Sequence, residues 1–400
     1  MTAIWDRRVD DELDAIRAAG RWRVTRELVT TGPVTGELDG RPVVTFASND
    51  YLGLTHHPRV IAAAHAALDR WGAGSGASRL IVGTRPLHAE LEAELAAWKG
   101  TEAALLFPTG FAANLGLLAA LGGRDVTILS DELNHASIVD GARQARADVR
   151  VYPHADLDRL AKLLVEVTVT GRGPALVVTD SAFSMDGDAA DVDALVAVCA
   201  AHGALLVLDE AHAVTGPRVD VAAAAARGVT VLRMGTLSKA LGSLGGFVGG
   251  PRRHVELLRN RARPFIFTTA PTPADVAAAL AALRVVRSAE GDALVARLRG
   301  HVDRLRPGHP TPIVPVVLGD EAVAVAAADS LLQRGLLVPA IRPPTVPPGT
   351  SRLRVALSAA HEPAQVDRLV AALADLRADL PPADRRSEGQ GGAGHGAEPT

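Results

Sequence analysis

The residue in the most unusual chemical setting is Lys239, which lies in the run VLRMGTLSKALGSLGGFVGG at residues 231–250. The chain contains 42 lysines and arginines, yet only Lys99, Lys162 and Lys239 are lysines. Lys99 ends a polar helix and Lys162 has charged neighbours, so we expect both to be solvated. Lys239 has no charged residue within five positions of it. Because a desolvated lysine can lose its proton and form an imine, whereas arginine cannot, Lys239 is the candidate nucleophile.

An acidic residue, Asp209, ends the apolar run ALLVLD thirty residues before Lys239. One crossover connection of that length could bring both side chains to the same rim of a sheet. Pyridoxal phosphate needs a lysine for its aldehyde, an acid for its ring nitrogen, a phosphate cradle and a partner for its ring. Lys239 and Asp209 could supply the first two. A carboxylate that only caps a helix at a strand end is the alternative for Asp209.

The stretch PTGFAANLG, residues 108–116, is a candidate phosphate cradle at a strand-to-helix junction. Free backbone N–H groups and the helix dipole favour an anion at Thr109 and Gly110, although a simple capped helix has the same pattern. His135 in DELNHAS follows another strand, where a buried structural histidine is the simpler interpretation. Three further polar residues stand at predicted strand ends: Ser184, His212 and Thr236. Taken together, these positions favour one site at one edge of a sheet.

Other chemistries have less support. The letters DEAHA at 209–213 suggest a helicase box, but that interpretation requires a Gly-Lys-Ser/Thr loop and the chain has no Gly-Lys dipeptide. The glycines of GAGSGASR do not follow a strand and open a helix, so a dinucleotide fingerprint is weak. The histidines at 56, 57, 135 and 212 have no established ligand spacing, and we therefore expect no metal site.

Composition is that of an ordinary globular protein, with 48% hydrophobic and 22% charged residues in 400. A net charge of −3 gives no basic field, so nucleic acid and anionic membranes have no support as partners. The single cysteine, Cys199, cannot form an internal disulfide, which favours a reducing compartment. The first twenty residues have no apolar signal region, and no run of about 18 apolar residues occurs. We therefore expect a cytoplasmic protein.

Hydrophobic periodicity predicts three early helices, over residues 5–30, from Pro58 to the glycine cluster at 72–78, and over 86–99. Strands and helices then alternate, and seven strands are predicted at 103–107, 126–130, 149–153, 174–180, 204–210, 230–236 and 245–250. Several of these strands are continuous apolar runs, which is typical of strands buried on both faces. The expected fold class is α/β with a mainly parallel seven-stranded sheet, whose active site gathers at the carboxyl ends of the strands.

Composition and predicted secondary structure divide the chain into four segments. We expect an N-terminal helix and strand segment at 1–45, a large cofactor-binding domain at 46–285 and a small C-terminal α+β domain at 286–380. The last residues, 381–400, are polar and rich in glycine and proline, and we expect them to be disordered.

Eight motifs occur in the order seen in one enzyme family: SNDYLGL, GSGASR, PTGFAAN, NHASIVDG, FSMDGD, DEAH, GTLSKALG and AIRPPTVPPGTSRLRVALSAAHE. Over residues 10–375 the chain resembles the α-oxoamine synthases, which are fold-type-I pyridoxal-phosphate enzymes that join an amino acid to an acyl thioester. The resemblance implies decarboxylative condensation of L-alanine with a pimeloyl thioester of coenzyme A or acyl carrier protein, in biotin biosynthesis. It also implies a homodimer with the active site at the interface.

The resemblance further implies a role for each matching residue. Lys239 holds the cofactor and moves protons, Asp209 pairs with the pyridine nitrogen, and His135 stacks on the ring. The other cofactor-binding residues implied are Gly110, Phe111, Ser184, His212 and Thr236, with Thr268 and Thr269 reaching the phosphate in the partner subunit. The substrate-binding residues implied are Arg23, Asn49, Ser78, His135, Thr345 and Arg354, of which Arg354 holds the amino-acid carboxylate.

Two departures from the family pattern stand out. The loop after His212 has fewer glycines than is usual, and Asp180 replaces the usual glutamate, one methylene longer. Two alternatives to the expected reaction stay open. One is the glycine C-acetyltransferase reaction or that of another α-oxoamine synthase; the other is a catalytically silent partner subunit, which typically lacks the lysine that is present here.

Overall fold

The structure is a computed structural model that describes residues 2–171 and 173–379. The tail at 381–400, for which disorder was predicted, lies outside the described residues. The helices in chain order are α1 (Thr2–Ala18), α2 (Pro58–Trp71), α3 (Pro86–Lys99), α4 (Gly110–Leu121), α5 (Ala136–Gln144), α6 (Leu157–Thr170), α7 (Val192–His202), α8 (Val221–Ala226), α9 (Arg252–Arg261), α10 (Arg263–Ile266), α11 (Pro273–Val286), α12 (Ala289–Leu305), α13 (Glu321–Gln333) and α14 (Pro363–Asp379). The strands in chain order are β1 (Leu28–Thr30), β2 (Thr35–Leu38), β3 (Arg41–Thr45), β4 (Ala103–Phe107), β5 (Thr127–Asp131), β6 (Asp148–Tyr152), β7 (Ala175–Asp180), β8 (Leu205–Asp209), β9 (Val231–Thr236), β10 (Gly246–Gly250), β11 (Ile313–Gly319), β12 (Leu336–Leu337), β13 (Ala340–Ile341) and β14 (Ser351–Ala356).

A seven-stranded sheet has the strand order β4-β10-β9-β8-β7-β5-β6. β10 is antiparallel to both of its neighbours, and the other adjacent pairs are parallel. Each of the seven strands predicted from the sequence overlaps one strand of this sheet, so the mainly parallel α/β fold is confirmed. The prediction succeeds because strands covered on both faces are largely apolar, and β5 and β10 are buried throughout.

Helices cover both faces of this sheet. Leu105 of β4 packs in one cluster with residues of α4, α5 and α9. Its neighbour Leu106 points to the opposite face and packs with α3 and α11. A third cluster joins β5, β7 and β8 to α6 and α7. The loops that follow the carboxyl ends of the parallel strands carry most of the predicted site residues.

Two smaller sheets flank the large one, with strand orders β1-β2-β3-β12 and β11-β14-β13. β12 pairs in parallel with β3, with Leu336 opposite Val44, so a late segment of the chain is joined to an early one. β14 is buried along its whole length and carries Arg354 toward the large sheet. The predicted domain boundaries at residues 45 and 285 stay predictions.

The helix predicted over residues 5–30 is wrong in its second half. α1 ends at Ala18, and Gly20 takes a left-handed backbone conformation with φ of 65°. That conformation terminates helices, and the residues from 21 to 27 continue without regular structure until β1 begins at Leu28. Within the two described ranges, no helix combines the length and the apolar character that crossing a bilayer requires.

Candidate active site

The strand ends of the large sheet bring the predicted cofactor residues to one edge. Asp209 ends β8, Thr236 ends β9, and Gly110 opens the helix that follows β4. His135 and Ser184 lie in the loops after β5 and β7. Because parallel strands share one direction, residues that follow them in sequence meet at the same edge of the sheet.

Lys239 lies three residues beyond the end of β9 and is half-buried. Its amine makes no hydrogen bond or ion pair with any residue that the structure describes. Burial lowers the pKa of this amine; the carboxylates of Asp209 and Asp180 oppose that shift, Arg354 adds to it, and the net pKa lies below the ordinary value of lysine. An unpaired amine of lowered pKa is what a lysine needs to react with an aldehyde.

Asp209 is buried, and two donors fix its carboxylate. The side-chain amide of Asn114 donates to Oδ2 at 2.8 Å, and the N–H of Ala211 donates to Oδ1 at 2.9 Å. Asp180 stands opposite Asp209 on the adjacent parallel strand. Burial and the charge of Asp209 raise the pKa of Asp180. Asp209 is therefore a buried side chain of fixed orientation at the carboxyl end of β8.

His135 begins α5 and is held from two sides. Its N–H donates to Oδ2 of Asp180 at 2.8 Å, and its ring Nδ1 lies 2.7 Å from the hydroxyl of Ser137. The amide of Asn114 donates to that hydroxyl at 2.9 Å, so one side chain connects Ser137 with Asp209. Asn114 and Ser137 were not predicted. A polar residue in the otherwise apolar helix GFAANLGLLAAL was the signal that could have identified Asn114.

The segment predicted to bind the phosphate, around Thr109 and Gly110, is closely packed. Thr109 caps α4 through its hydroxyl, which accepts from the N–H of Ala112 at 3.0 Å. A Cβ added at Gly110 would lie 3.3 Å from Cβ of Thr236, and one at Gly246 would lie 2.6 Å from Cα of Gly110. Glycine is thus required at 246 for the start of α4 to approach the start of β10. The N–H groups at a helix start and a threonine hydroxyl are suitable donors for a phosphate.

These features fit pyridoxal phosphate. The donor set contains an unpaired amine at Lys239, a fixed carboxylate at Asp209 and a helix start beside Thr236. The carbonyl oxygen of the Asn114 side chain is also buried without a partner beside Asp209. Phe111 is exposed, and its ring stands edge-on to that of His135, with centroids 6.3 Å apart.

The predicted substrate side of the site is connected to His212. The Tyr51 hydroxyl lies 2.6 Å from Nδ1 of buried His212 and donates to Oδ1 of Asn49 at 3.0 Å. Nη2 of Arg354 donates to the same Asn49 oxygen at 3.2 Å, and its Nε donates to the carbonyl of Ser184. Burial, and then the nearby cations Lys239 and Arg354, hold the pKa of His212 well below its usual range, so its ring is neutral. Tyr51 was not predicted from the sequence.

Other predicted residues lie away from this cluster. Thr268 and Thr269 are exposed, and Thr269 forms an isolated bridge with Ser78. Arg23 and Thr345 are also exposed, although Arg342 donates to the carbonyl of Gly20 and so ties their two segments together. In the single chain, none of these four is hydrogen-bonded to Lys239, Asp209 or His135. Their proposed roles depend on substrate or on a second subunit.

The expectation that Lys99 is solvated is wrong. Its side chain is 11% exposed, and Nζ lies 2.7 Å from Oε2 of Glu210, a residue 111 positions further along the chain. Arg233 pairs with the other oxygen of Glu210 at 2.6 Å. Burial would raise the pKa of Glu210, but the two cations outweigh it and the net pKa is lowered. Lys99 therefore forms an ion pair with the buried carboxylate of the residue that follows Asp209 in the chain.

Comparisons with known proteins agree with this geometry. The family model described as aminotransferase class I and II matches residues 41–373. This chain belongs to that family. It is 53% identical over 394 residues to 8-amino-7-oxononanoate synthase of Anaeromyxobacter dehalogenans (strain 2CP-1 / ATCC BAA-258), covering 94% of this chain and 97% of that protein. The protein of the same name from Geobacter sulfurreducens is 46% identical, covering 94% and 99%.

Solved structures show the same fold. Serine palmitoyltransferase of Sphingomonas wittichii is 33% identical with a TM-score of 0.84, covering 92% of this chain and 96% of that one. 8-amino-7-oxononanoate synthase of Francisella tularensis has a TM-score of 0.68 at 24% identity, covering 83% and 97%, and supports the fold alone. The resemblance to α-oxoamine synthases and the type I fold are confirmed, and the chain is a pyridoxal-phosphate-dependent enzyme.

Proposed function

We propose that this enzyme condenses L-alanine with a pimeloyl thioester to give 8-amino-7-oxononanoate, CO2 and the free thiol carrier, a step of biotin biosynthesis. The observation that carries the proposal is the near-full-length identity of about half the residues with proteins named 8-amino-7-oxononanoate synthase. The converging Lys239, Asp209 and His135 supply the groups that this chemistry requires.

When bound, pyridoxal phosphate supplies an electron sink for the α-carbon of an attached amino acid. Asp209, fixed by Asn114 and the N–H of Ala211, would stabilise a positive charge on the ring nitrogen. Lys239 is the proton carrier, because burial lowers the pKa of its amine and so favours the neutral form, which can take a proton from the α-carbon. His135 would hold one face of the ring, and its own orientation is set by Asp180 and Ser137.

The substrate carboxylate is assigned to Arg354. Its guanidinium is buried and is oriented by two oxygens, the Ser184 carbonyl and Oδ1 of Asn49. A planar guanidinium is suited to a carboxylate because it can present two parallel N–H donors. Holding the carboxylate there would orient the bond to CO2 for cleavage, which is the step that makes the condensation irreversible. Gly110 and Thr236 would hold the phosphate, and Ser184 and His212 the hydroxyl side of the ring.

The proposal includes a homodimer. Four large apolar side chains near the predicted interface are strongly exposed in the single chain: Leu80 at 51%, Ile81 at 73%, Val82 at 68% and Phe267 at 67%. A second copy that covered them would also bring Thr268 and Thr269 toward its own phosphate site. Light scattering on the purified protein tests this. A cytoplasmic location is also proposed, supported by the one cysteine, Cys199, which is buried and unpaired.

The activity test combines alanine or glycine with pimeloyl or acetyl thioesters, each as the coenzyme A and the acyl carrier protein form. Thiol release and CO2 are measured, with Lys239→Ala as the inactive control. We expect turnover with alanine and a pimeloyl thioester. Turnover with glycine and acetyl-CoA alone would assign the glycine C-acetyltransferase reaction instead, and no turnover with any pair would favour a silent subunit.

A further inference from the structure

A second cluster of titratable side chains lies next to the site and takes no part in the steps above. His154, between β6 and α6, is hydrogen-bonded at both ring nitrogens. Nδ1 lies 3.0 and 3.2 Å from the two carboxylate oxygens of Asp131, and Nε2 lies 2.7 Å from Oδ2 of Asp188. Because each nitrogen faces a carboxylate, both carry a hydrogen, and the ring is an imidazolium cation.

The first carboxylate belongs to the loop that presents His135. Asp131 is the last residue of β5, four positions before His135, and its side chain also accepts the N–H groups of Leu133 at 2.9 Å and Ala155 at 3.0 Å. Asp131 is almost fully buried, with 2% of its side chain exposed. The imidazolium therefore neutralises a buried charge and fixes the start of the loop that leads to His135.

The residue that carries the second carboxylate, Asp188, closes the turn that carries Ser184. The carbonyl of Asp188 accepts the N–H of Phe183 at 3.0 Å, which makes residues 183–188 a tight turn. The ring of Phe183 stands edge-on to that of His154, with centroids 4.4 Å apart and an interplanar angle of 81°. The cation at His154 thus lies between the loop that contains His135 and the turn that contains Ser184.

The same turn receives both arginines of β14. Arg352 pairs with Asp186, and Arg354 donates to the carbonyl of Ser184. Gly187 has φ of 69°, and a Cβ there would lie 1.9 Å from the carbonyl oxygen of Ile313, so this turn is packed tightly against β11. A shift of the turn at Asp188 would therefore move the group that orients Arg354.

We propose that His154 is a positioning residue, whose cation holds the His135 loop and the Ser184 turn at the spacing that cofactor and amino acid require. The inference rests on the proposed cofactor site, but not on the identity of the thioester. His154 would not contact the substrate; it would act through Asp131 on His135 and through Asp188 on Ser184 and Arg354.

Charged groups around the ring give the pH dependence. Asp131 and Asp188 face it directly, the Glu132 carboxylate accepts the N–H of His154 at 2.9 Å, and His309 acts on Asp188 from the far side of the turn. Burial lowers the pKa of His154, but the hydrogen bonds and charges of Asp131 and Asp188 raise it further, to about 10. The cation therefore persists until the pH rises through about 10, and its contribution to the free energy of unfolding, complete below the ordinary histidine pKa of 6.5, is lost by that pH.

The test replaces His154 by phenylalanine, which keeps a ring against Phe183 and removes both hydrogen bonds. The matched control is His65→Phe on the exposed face of α2. Apoprotein is titrated with pyridoxal phosphate by visible absorbance, and the holoenzyme with alanine. We expect both dissociation constants to rise at least about tenfold in His154→Phe and to be unchanged in the control, because two charge-assisted hydrogen bonds are lost. His154→Gln, which keeps one side-chain donor, should recover part of the loss.

The pH profile separates positioning from a general loss of stability. The ratio of the variant and wild-type dissociation constants should fall as the pH rises through about 10, where wild type loses its cation and keeps only one N–H donor on the ring. A melting temperature lowered with both constants unchanged would overturn the proposal, as would a ratio that did not vary with pH. If His154→Phe does not fold, Asp188→Asn takes its place in the test. An unchanged dissociation constant for alanine in Asp188→Asn would refute the positioning role of His154.

Discussion

The hydrogen bond from Asn114 to Asp209 gives the sharpest test of the site, because Asn114 was absent from the sequence prediction. In Asn114→Leu, Asp209 loses the donor at 2.8 Å and Ser137 loses the donor at 2.9 Å. A hydrogen bond to a charged group contributes about 1.5–3 kcal/mol, which corresponds to about 10- to 150-fold in affinity. We expect the dissociation constant for pyridoxal phosphate to rise by that factor, because the carboxylate that faces the ring nitrogen is no longer fixed.

Stability should respond differently from affinity. The Asn114 carbonyl oxygen is buried without a partner, and an unsatisfied buried acceptor costs about 1–3 kcal/mol. Leucine, of similar size, removes that cost together with the two hydrogen bonds, so the terms nearly cancel and the apoprotein should melt within a few degrees of wild type.

The assay titrates apoprotein with pyridoxal phosphate and follows visible absorbance, with thermal unfolding of the apoprotein by circular dichroism. The matched control is Asn260→Leu on α9, where the side-chain amide donates only to the exposed helix carbonyl of Glu256. A dissociation constant for Asn114→Leu within twofold of the control would refute the role given to this hydrogen bond.

Three further outcomes follow from the same contacts. Lys99→Met should lower the free energy of unfolding by about 3 kcal/mol at pH 7, because Glu210 stays buried with one cation fewer. Because the pKa of Glu210 is lowered in the folded state, its contribution to the free energy of unfolding is complete above about pH 4.5 and is lost as the pH falls through the folded-state pKa. The free energies of unfolding of wild type and Lys99→Met, measured in urea, should therefore converge in acid. Gly246→Ala, which places a Cβ 2.6 Å from Gly110, should weaken cofactor binding at least about tenfold in the absorbance titration, and normal binding would contradict the close packing. Arg354→Lys should raise KM for alanine at least about tenfold, since lysine lacks the planar pair of donors, and it should leave cofactor affinity near wild type; the reverse pattern would reassign Arg354.

Much of the fold could be predicted because its signals are local. A strand buried on both faces is largely apolar, and the runs that became β8 and β10 show this, apart from Asp209 at the end of β8, without any knowledge of their neighbours. Local signals were weaker where burial was absent. From residue 3 to its end α1 is exposed except at half-buried Leu13, and the glycine at position 20 ended a helix that hydrophobic spacing extended to residue 30.

Parts of the site followed from the same local signals. Lys239 stood out as a lysine among glycines and apolar residues, and Asp209 as an acid at the end of a buried strand. Both residues could be assigned to one site from the sequence because the carboxyl ends of parallel strands lie at the same edge of a sheet, whatever the order of the strands. The positions of Gly110 and Thr236 followed for the same reason.

Contacts between distant segments were decided by the tertiary structure. The partner of Lys99 lies 111 positions away, and Asn114 is 95 positions from Asp209. Those pairs depend on the strand order β4-β10-β9-β8, in which β10 inserts between β4 and β9 from later in the chain. A single sequence contains the residue types that can pair, but the distance between two side chains is determined only once the crossovers have placed their strands side by side.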